Sequence, residues 1–265
     1  MKSVRIIYFS PTGTTKKVVE TIAGSLRSEK VDVLDLTPTR GRRYGRLTSD
    51  VDLTILGVPV YTGRVPFQVV EALQQMQGPG TPAAIVVVYG NRAYEDALLE
   101  LNDIVSRIGF LPIAAAAFVG EHSFSTAATP IAVGRPDNED LEQAASFGRT
   151  LRERLEAAGP LGNGQFLKVP GNYPYRERAQ HVSSPETVTE LCTKCGACEA
   201  ACPEEAIAVT EDGVATDRES CLLCCACVRA CPTGARRVND VELLTIAREL
   251  SSTCHERRSP EFFMK

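Results

Sequence analysis

Apolar residues follow two alternating rhythms over the first 158 residues. Short unbroken runs, VRIIYF (4–9), VDVLDL (31–36), DLTILGV (52–58), AAIVVVY (83–89) and PIAAAAFV (112–119), are closed by Gly, Pro or Ser. Such runs read as strands buried on both faces. Between or after them, apolar residues recur at helical spacing in TTKKVVETIAGSLRS (14–28), PFQVVEALQQM (66–76), YEDALLELNDIVSRI (94–108) and EDLEQAASFGRTLRERLEAA (139–158). Strands alternating with helices predict a parallel α/β sheet covered by helices on both faces.

The rhythm stops at GPLGNGQFLKVPGNYPYRER (159–178), a Gly/Pro/Asn-rich stretch that reads as a surface linker. Two cysteine blocks follow, repeated at an offset of 29 residues. Between them IAVTEDGVAT (207–216) reads as a hairpin around an Asp-Gly turn. VELLTIARELSS (241–252) reads as one last helix. Net charge is −4 with no long basic run, so nucleic acid is not an expected partner. No apolar stretch reaches the roughly 18 residues of a membrane span. The start, MKSVRIIYFSPTGTT, is no signal peptide, and a cytoplasmic location is expected.

Ten cysteines, none before position 192, argue for metal binding over a disulfide scaffold. Cys192, Cys195, Cys198 and Cys202, then Pro203, spell CxxCxxCxxxCP. Cys221, Cys224, Cys227 and Cys231, then Pro232, spell it again. Two zinc sites would also use eight thiolates. The triple spacing, the closing proline and the duplication together resemble bacterial two-cluster ferredoxins. That resemblance implies two [4Fe–4S] clusters with crossed ligation. Cys192, Cys195, Cys198 and Cys231 would hold the first, and Cys221, Cys224, Cys227 and Cys202 the second. Cys225 is expected to be a small buried thiol beside the second cluster, and Cys254 a surface residue.

SPTGTT (10–15) joins the first strand to the first helix. A loop rich in hydroxyls and Gly at a helix N-terminus suits phosphate; a plain N-cap by Thr12 or Thr14 is the alternative. Neither GxxxxGK[ST] nor GxGxxG is present. Within five alternating units, Ser10, Thr12, Gly13 and Thr15 match the [ST]xTGxT loop of the flavodoxin family, with Thr14 inside it. The resemblance implies a doubly wound, five-stranded parallel sheet of order 2-1-3-4-5, with FMN at the carboxyl ends of the strands. It implies that Pro59, Val60, Tyr61, Thr62, Gly63 and Arg64 line one side of the flavin ring. Gly90, Asn91, Arg92 and Tyr94 would line the other, with Tyr61 or Tyr94 stacked on it. The peptide beside Gly63 is expected to turn on reduction, since Gly takes both conformations cheaply. Arg64, as a cation near the ring, is expected to raise the low-potential flavin couple. Asp96 is read as a helix cap.

VYTGRVP, YGNRAYEDALLEL, VPGNYPYR and the double cysteine block together resemble flavodoxin–ferredoxin fusion proteins over nearly the whole chain. The implied division is a flavodoxin-like FMN domain (1–158), a linker (159–185), a small α+β ferredoxin-like domain with two [4Fe–4S] clusters (186–238) and a C-terminal helix and tail (239–265). The implied function is electron transfer between the clusters and FMN, to or from a partner redox protein. The alternative is an FMN-dependent reductase of a small molecule (a quinone, nitro-compound or activated double bond) fed through the clusters. The loop GEHSFSTAATPIAVGRPDNED (120–140) discriminates: a walled cavity favours the reductase, a bare flavin edge the carrier. His122 in that loop is the candidate proton donor. The cysteine-rich end holds the larger acidic excess, which favours a partner with a basic patch. A homodimer is left open.

Overall fold

The computed structural model describes residues 1–42, 47, 51–78, 80–157, 167–179 and 182–265, so parts of the expected linker (159–166 and 180–181) lie outside the described residues. Each apolar run forms a strand: β1 (Ser3–Tyr8), β2 (Lys30–Asp35), β3 (Leu53–Pro59), β4 (Pro82–Tyr89) and β5 (Leu111–Val119). These five pair in parallel in the order 2-1-3-4-5. The helices are α1 (Thr14–Ser25), α2 (Phe67–Gln74), α3 (Ala97–Arg107) and α4 (Asn138–Ala157).

Successive side chains of a strand point to opposite faces, which explains the two cores. Val4, Ile6 and Tyr8 of β1 join Val18 and Ile22 of α1, Leu26 just after it, and Phe147 and Leu151 of α4 on one face. Ile7 and Phe9 join Val69 and Leu73 of α2 and Leu98, Leu101 and Ile104 of α3 on the other. β3, central in the sheet, is buried at every position. β2 lies at an edge and leaves Val31 and Val33 exposed.

The cysteine-rich part is built from β6 (Glu186–Thr187), α5 (Ala197–Ala200), the hairpin β7 (Ile207–Thr210) and β8 (Gly213–Thr216), α6 (Ala226–Ala230) and β9 (Arg236–Arg237). β6 pairs with β9, bringing the two ends of the repeat together. Helix α7 (Val241–Thr253) follows, N-capped by Asp240, which accepts from the N–H groups of Glu242 and Leu243.

The tail departs from expectation. Glu261–Met264 forms β10, antiparallel to β5, and makes a sixth strand of the first sheet. Phe262 stacks on Phe147 at 5.2 Å and tilts against Phe118 at 5.7 Å. β10 gives the backbone edge of β5 a partner that would otherwise face water. EFFM is too short for periodicity to reveal it.

The described part of the linker is a strap held over α3. Burial alone would raise the pKa of Asp96, but the backbone N–H groups of Arg176 and Asn172 outweigh it and hold it low. Asp96 therefore anchors the strap; no side-chain bond caps α3. Glu100, nearly fully buried, accepts from Arg64 Nε (2.8 Å), Arg178 Nη2 (2.7 Å) and the Val65 N–H (2.9 Å).

Two stability effects are expected. Glu100→Ala strands two guanidinium groups and should cost on the order of 3 kcal/mol in urea denaturation. Phe262→Ala, at a strand position that is 38% exposed, should cost about 1 kcal/mol.

Candidate functional site

The ends of β1, β3, β4 and β5 open onto one cavity of about 1160 Å³. Its first wall is the loop after β1. Ser10 accepts the Lys16 N–H (3.0 Å) and donates its own N–H to Thr37 (2.9 Å), which folds the loop tightly. Gly13 turns at φ 83°; no side chain caps α1 and its first turn holds no acid. The helix start thus keeps its positive end for an anion. Thr12 and Thr14 line the cavity, and the fully buried Thr15 hydroxyl has no partner.

The second wall is the loop after β3. Tyr61 and Arg64 exchange both backbone hydrogen bonds, and Thr62 (φ 52°) and Gly63 (φ 78°) make the turn between them. Positive φ at both central residues is the geometry of a two-residue hairpin turn. A Cβ on Gly63 would meet the Glu95 carboxylate, which can shift, and the positive φ is what favours Gly here. The Gly63 carbonyl is engaged by the Asp96 N–H (3.1 Å).

The third wall combines Gly90 and Arg92 after β4 with Glu121–Phe124 after β5. A Cβ on Gly90 would lie 2.2 Å from the His122 ring. His122 Nδ1 accepts the Phe124 N–H (3.0 Å), which leaves the ring proton on Nε2. Burial, with Arg92 and Arg229 nearby, pushes its pKa down to about 4, so the ring is neutral.

Of the residues expected around the flavin, Thr12, Thr14, Pro59, Val60, Tyr61, Thr62, Gly63, Gly90 and Arg92 line this cavity. The others are placed elsewhere. Ser10 and Gly13 shape the loop from within, and Thr15 is part of the interior. Arg64 turns from the cavity to Glu100 and stacks on Tyr175 at 4.7 Å, so its charge is already matched and the expected effect on the ring does not follow. Tyr94 packs edge-on to Tyr89 and donates to Glu261 (2.8 Å). Asn91 donates to the carbonyls of Cys254 (2.7 Å) and Glu256 (2.8 Å), tying down the chain before β10.

The eight pattern cysteines surround two further cavities, and all are free thiols. One is lined by Cys192, Cys195, Cys198 and Cys231. The other is lined by Cys202, Cys221, Cys224 and Cys227, with Cys225. Among the described residues, no three potential ligands converge on a single-ion site. Burial pushes the Cys224 thiol up to about 12, so its thiolate needs positive charge beside it. Iron–sulfur clusters supply that charge, and the donor sets fit them.

Sequence reasoning missed Arg236. It is buried, borders both cysteine cavities, and donates to Thr187 (2.9 Å), Thr216 (3.1 Å) and Cys227 Sγ (3.8 Å). No motif distinguishes it from Arg237 beside it. Also missed was the wall contributed by α7, through Leu243, Ile246 and Leu250. An amphipathic helix alone does not say what it covers.

The two parts are pinned together around these cavities. Arg42 donates to Glu204 (2.9 Å) and the Pro203 carbonyl (2.7 Å), its guanidinium 5.3 Å from the Phe9 ring. Arg229 donates to the His122 carbonyl (3.1 Å) and pairs with Glu121 (3.5 Å).

Family comparison agrees with this architecture. Residues 5–95 match the flavodoxin domain, and residues 191–235 match the 4Fe-4S dicluster domain. Among solved structures, a flavodoxin from the domain Archaea is 14% identical, covering 58% of this chain and 99% of that one, with a TM-score of 0.38. The Fusobacterium nucleatum flavodoxin bound to flavin mononucleotide is 16% identical over 58% of this chain and 98% of that one, with a TM-score of 0.40. Rubredoxin oxygen:oxidoreductase from the anaerobe Desulfovibrio gigas is 18% identical, with a TM-score of 0.43. The match covers 59% of this chain and 37% of that one. No curated protein matches. The chain joins a flavodoxin domain to a 4Fe-4S dicluster domain, as a flavodoxin–ferredoxin fusion does. It is an electron-transfer flavo-iron–sulfur protein whose cofactors are FMN and two [4Fe–4S] clusters. Among the described residues, no helix is long and apolar enough to cross a membrane.

Two outcomes are expected here. Arg236→Gln removes a cation between two electron-rich clusters and should lower at least one cluster midpoint in an EPR-monitored titration. Cys225→Gly should leave the iron content per chain unchanged. It replaces a residue at φ 58° by the residue its repeat partner Gly196 already supplies at φ 77°.

Proposed function

We propose that this chain relays electrons between a partner redox protein and FMN in a fixed order. The cluster held by Cys192, Cys195, Cys198 and Cys231 faces the partner. The cluster held by Cys221, Cys224, Cys227 and Cys202 faces the flavin. The carrying observation is the shared wall: Cys221 and Leu222 of the second block line the flavin cavity. Cys192, Cys195, Cys198 and Cys231 border only the other cysteine cavity, and Cys195 is exposed.

The flavin, when bound, supplies one- and two-electron chemistry and the clusters one-electron steps. The protein holds them. Thr12, Thr14 and the uncapped start of α1 bind the phosphate, while Pro59–Gly63 and Gly90 with Arg92 flank the ring. Tyr61 lines the cavity with Cys224 and Cys225 within electrostatic reach. Burial, then those sulfurs, push its pKa well up, so the bridge between the two sites is a neutral phenol. The acidic excess of the cysteine-rich end selects a partner with a basic patch.

The walled cavity also favours a second reading, an FMN-dependent reductase. The loop from Gly120 to Phe124, α7, and Arg178, Ala179 and Val182 line the space.

The relay order is tested anaerobically by stopped flow, with a reduced ferredoxin as donor. Cys195→Ser should lose one cluster by EPR, keep FMN, and slow flavin reduction at least tenfold. An unchanged rate would reject the order.

A further inference from the structure

We propose that the end of the cavity formed by α7 and the strap is a second subsite beside the flavin, for a planar apolar molecule bearing a carbonyl group. The proposal rests on the reading of this cavity as the flavin site and names the class of its second occupant.

Size is the first argument. Pockets for one small ligand run to roughly 300–1,000 Å³, and this cavity holds about 1160 Å³. Chemistry is the second. The residues that match the flavodoxin loops supply hydroxyls, backbone groups and Arg92. Much of the remaining wall is apolar, with Leu243, Ile246 and Leu250 of α7, Val182, Leu222 of the second cysteine block, and Phe67 at the start of α2, while Arg178, Glu219, Glu249 and Thr253 supply its polar part. Phe67 and Val182 are 55% and 72% exposed, although both border the cavity. Single exposed apolar residues are ordinary. Several bordering one cavity are the mark of a binding surface. FMN's phosphate, polyol and pyrimidine edge take the polar lining, and its dimethylbenzene edge covers only part of the apolar one.

Two of the polar groups suit a carbonyl. The half-buried Gln68 lines the cavity, and its Oε1 atom, itself buried, has no partner. Reversal of that amide presents N–H instead. His122 contributes the Nε2 proton described above. An apolar body with one or two hydrogen-bond acceptors matches this lining.

The test is anaerobic calorimetry of the oxidised, FMN-loaded full chain titrated with 1,4-naphthoquinone, with flavin counted by absorbance on the same sample. One molecule should bind per chain. Ile246→Trp, which fills the subsite, should weaken binding at least tenfold with flavin content unchanged. Phe67→Ala, at an exposed position that folding tolerates, should weaken it severalfold. Absence of binding to FMN-loaded protein, or equal binding by Ile246→Trp, overturns the subsite and leaves the flavin site standing. Loss of flavin from Ile246→Trp makes the space part of the flavin site and also overturns it. Purified wild-type chain that takes up no FMN overturns the flavin site itself, and the subsite with it.

Discussion

The contact between Arg42 and the Cys202–Pro203–Glu204 corner is the interaction on which the rest depends. Two redox centres exchange electrons only if they stay close and keep their separation. Arg42 secures this with a fork of donors, one branch on a carboxylate and one on a backbone carbonyl. Both side chains of the ion pair are only 12% exposed, so water screens it weakly. The corner it holds carries Cys202, the thiol that the first block contributes to the second cavity. Crossed donation makes this local restraint general. Whatever fixes Cys202 also fixes the second block, and Cys231 passes the restraint back to the first.

A second pattern runs through the cysteine blocks. Residues with positive φ recur at matched places in the repeat: Lys194 with Leu223 and Glu205 with Gly234. Gly196 and Cys225 form the third such pair. Each strained residue costs of order 1 kcal/mol and turns the chain sharply between thiols. The backbone wraps each cavity because metal binding, not helix or sheet, is what stabilises it.

Strands, helices and cysteine cavities were legible in the sequence because each rests on local pattern. Apolar runs such as AAIVVVY have one physical solution, and the spacing of Cys221, Cys224 and Cys227 has nearly one. The turn from SPTGTT into α1 was legible for the same reason. Arg64, Asn91 and Tyr94 were misplaced because their partners (Glu100, Cys254 and Glu261) lie 36, 163 and 167 positions away. Proximity to a flavin loop in sequence says nothing about which way a long side chain turns. Arg236 and the α7 wall were invisible for a related reason: a charge or an apolar stripe acquires its role only from what the fold sets opposite it.

Strand β10 has a consequence for how the chain is made. The sheet begins at residue 3 and closes at residue 264, with both cysteine blocks between β5 and its last neighbour. Topologically the cysteine module is an insertion, tethered at two ends, rather than an appendage on one hinge. During synthesis at about 5–20 residues per second, β5 waits without its outer neighbour while the thiols emerge. The final strand can dock only after that segment has been threaded back to the sheet. Cluster assembly and completion of the sheet therefore fall in the same interval of the chain's life, and a delay in one leaves the edge of the other open.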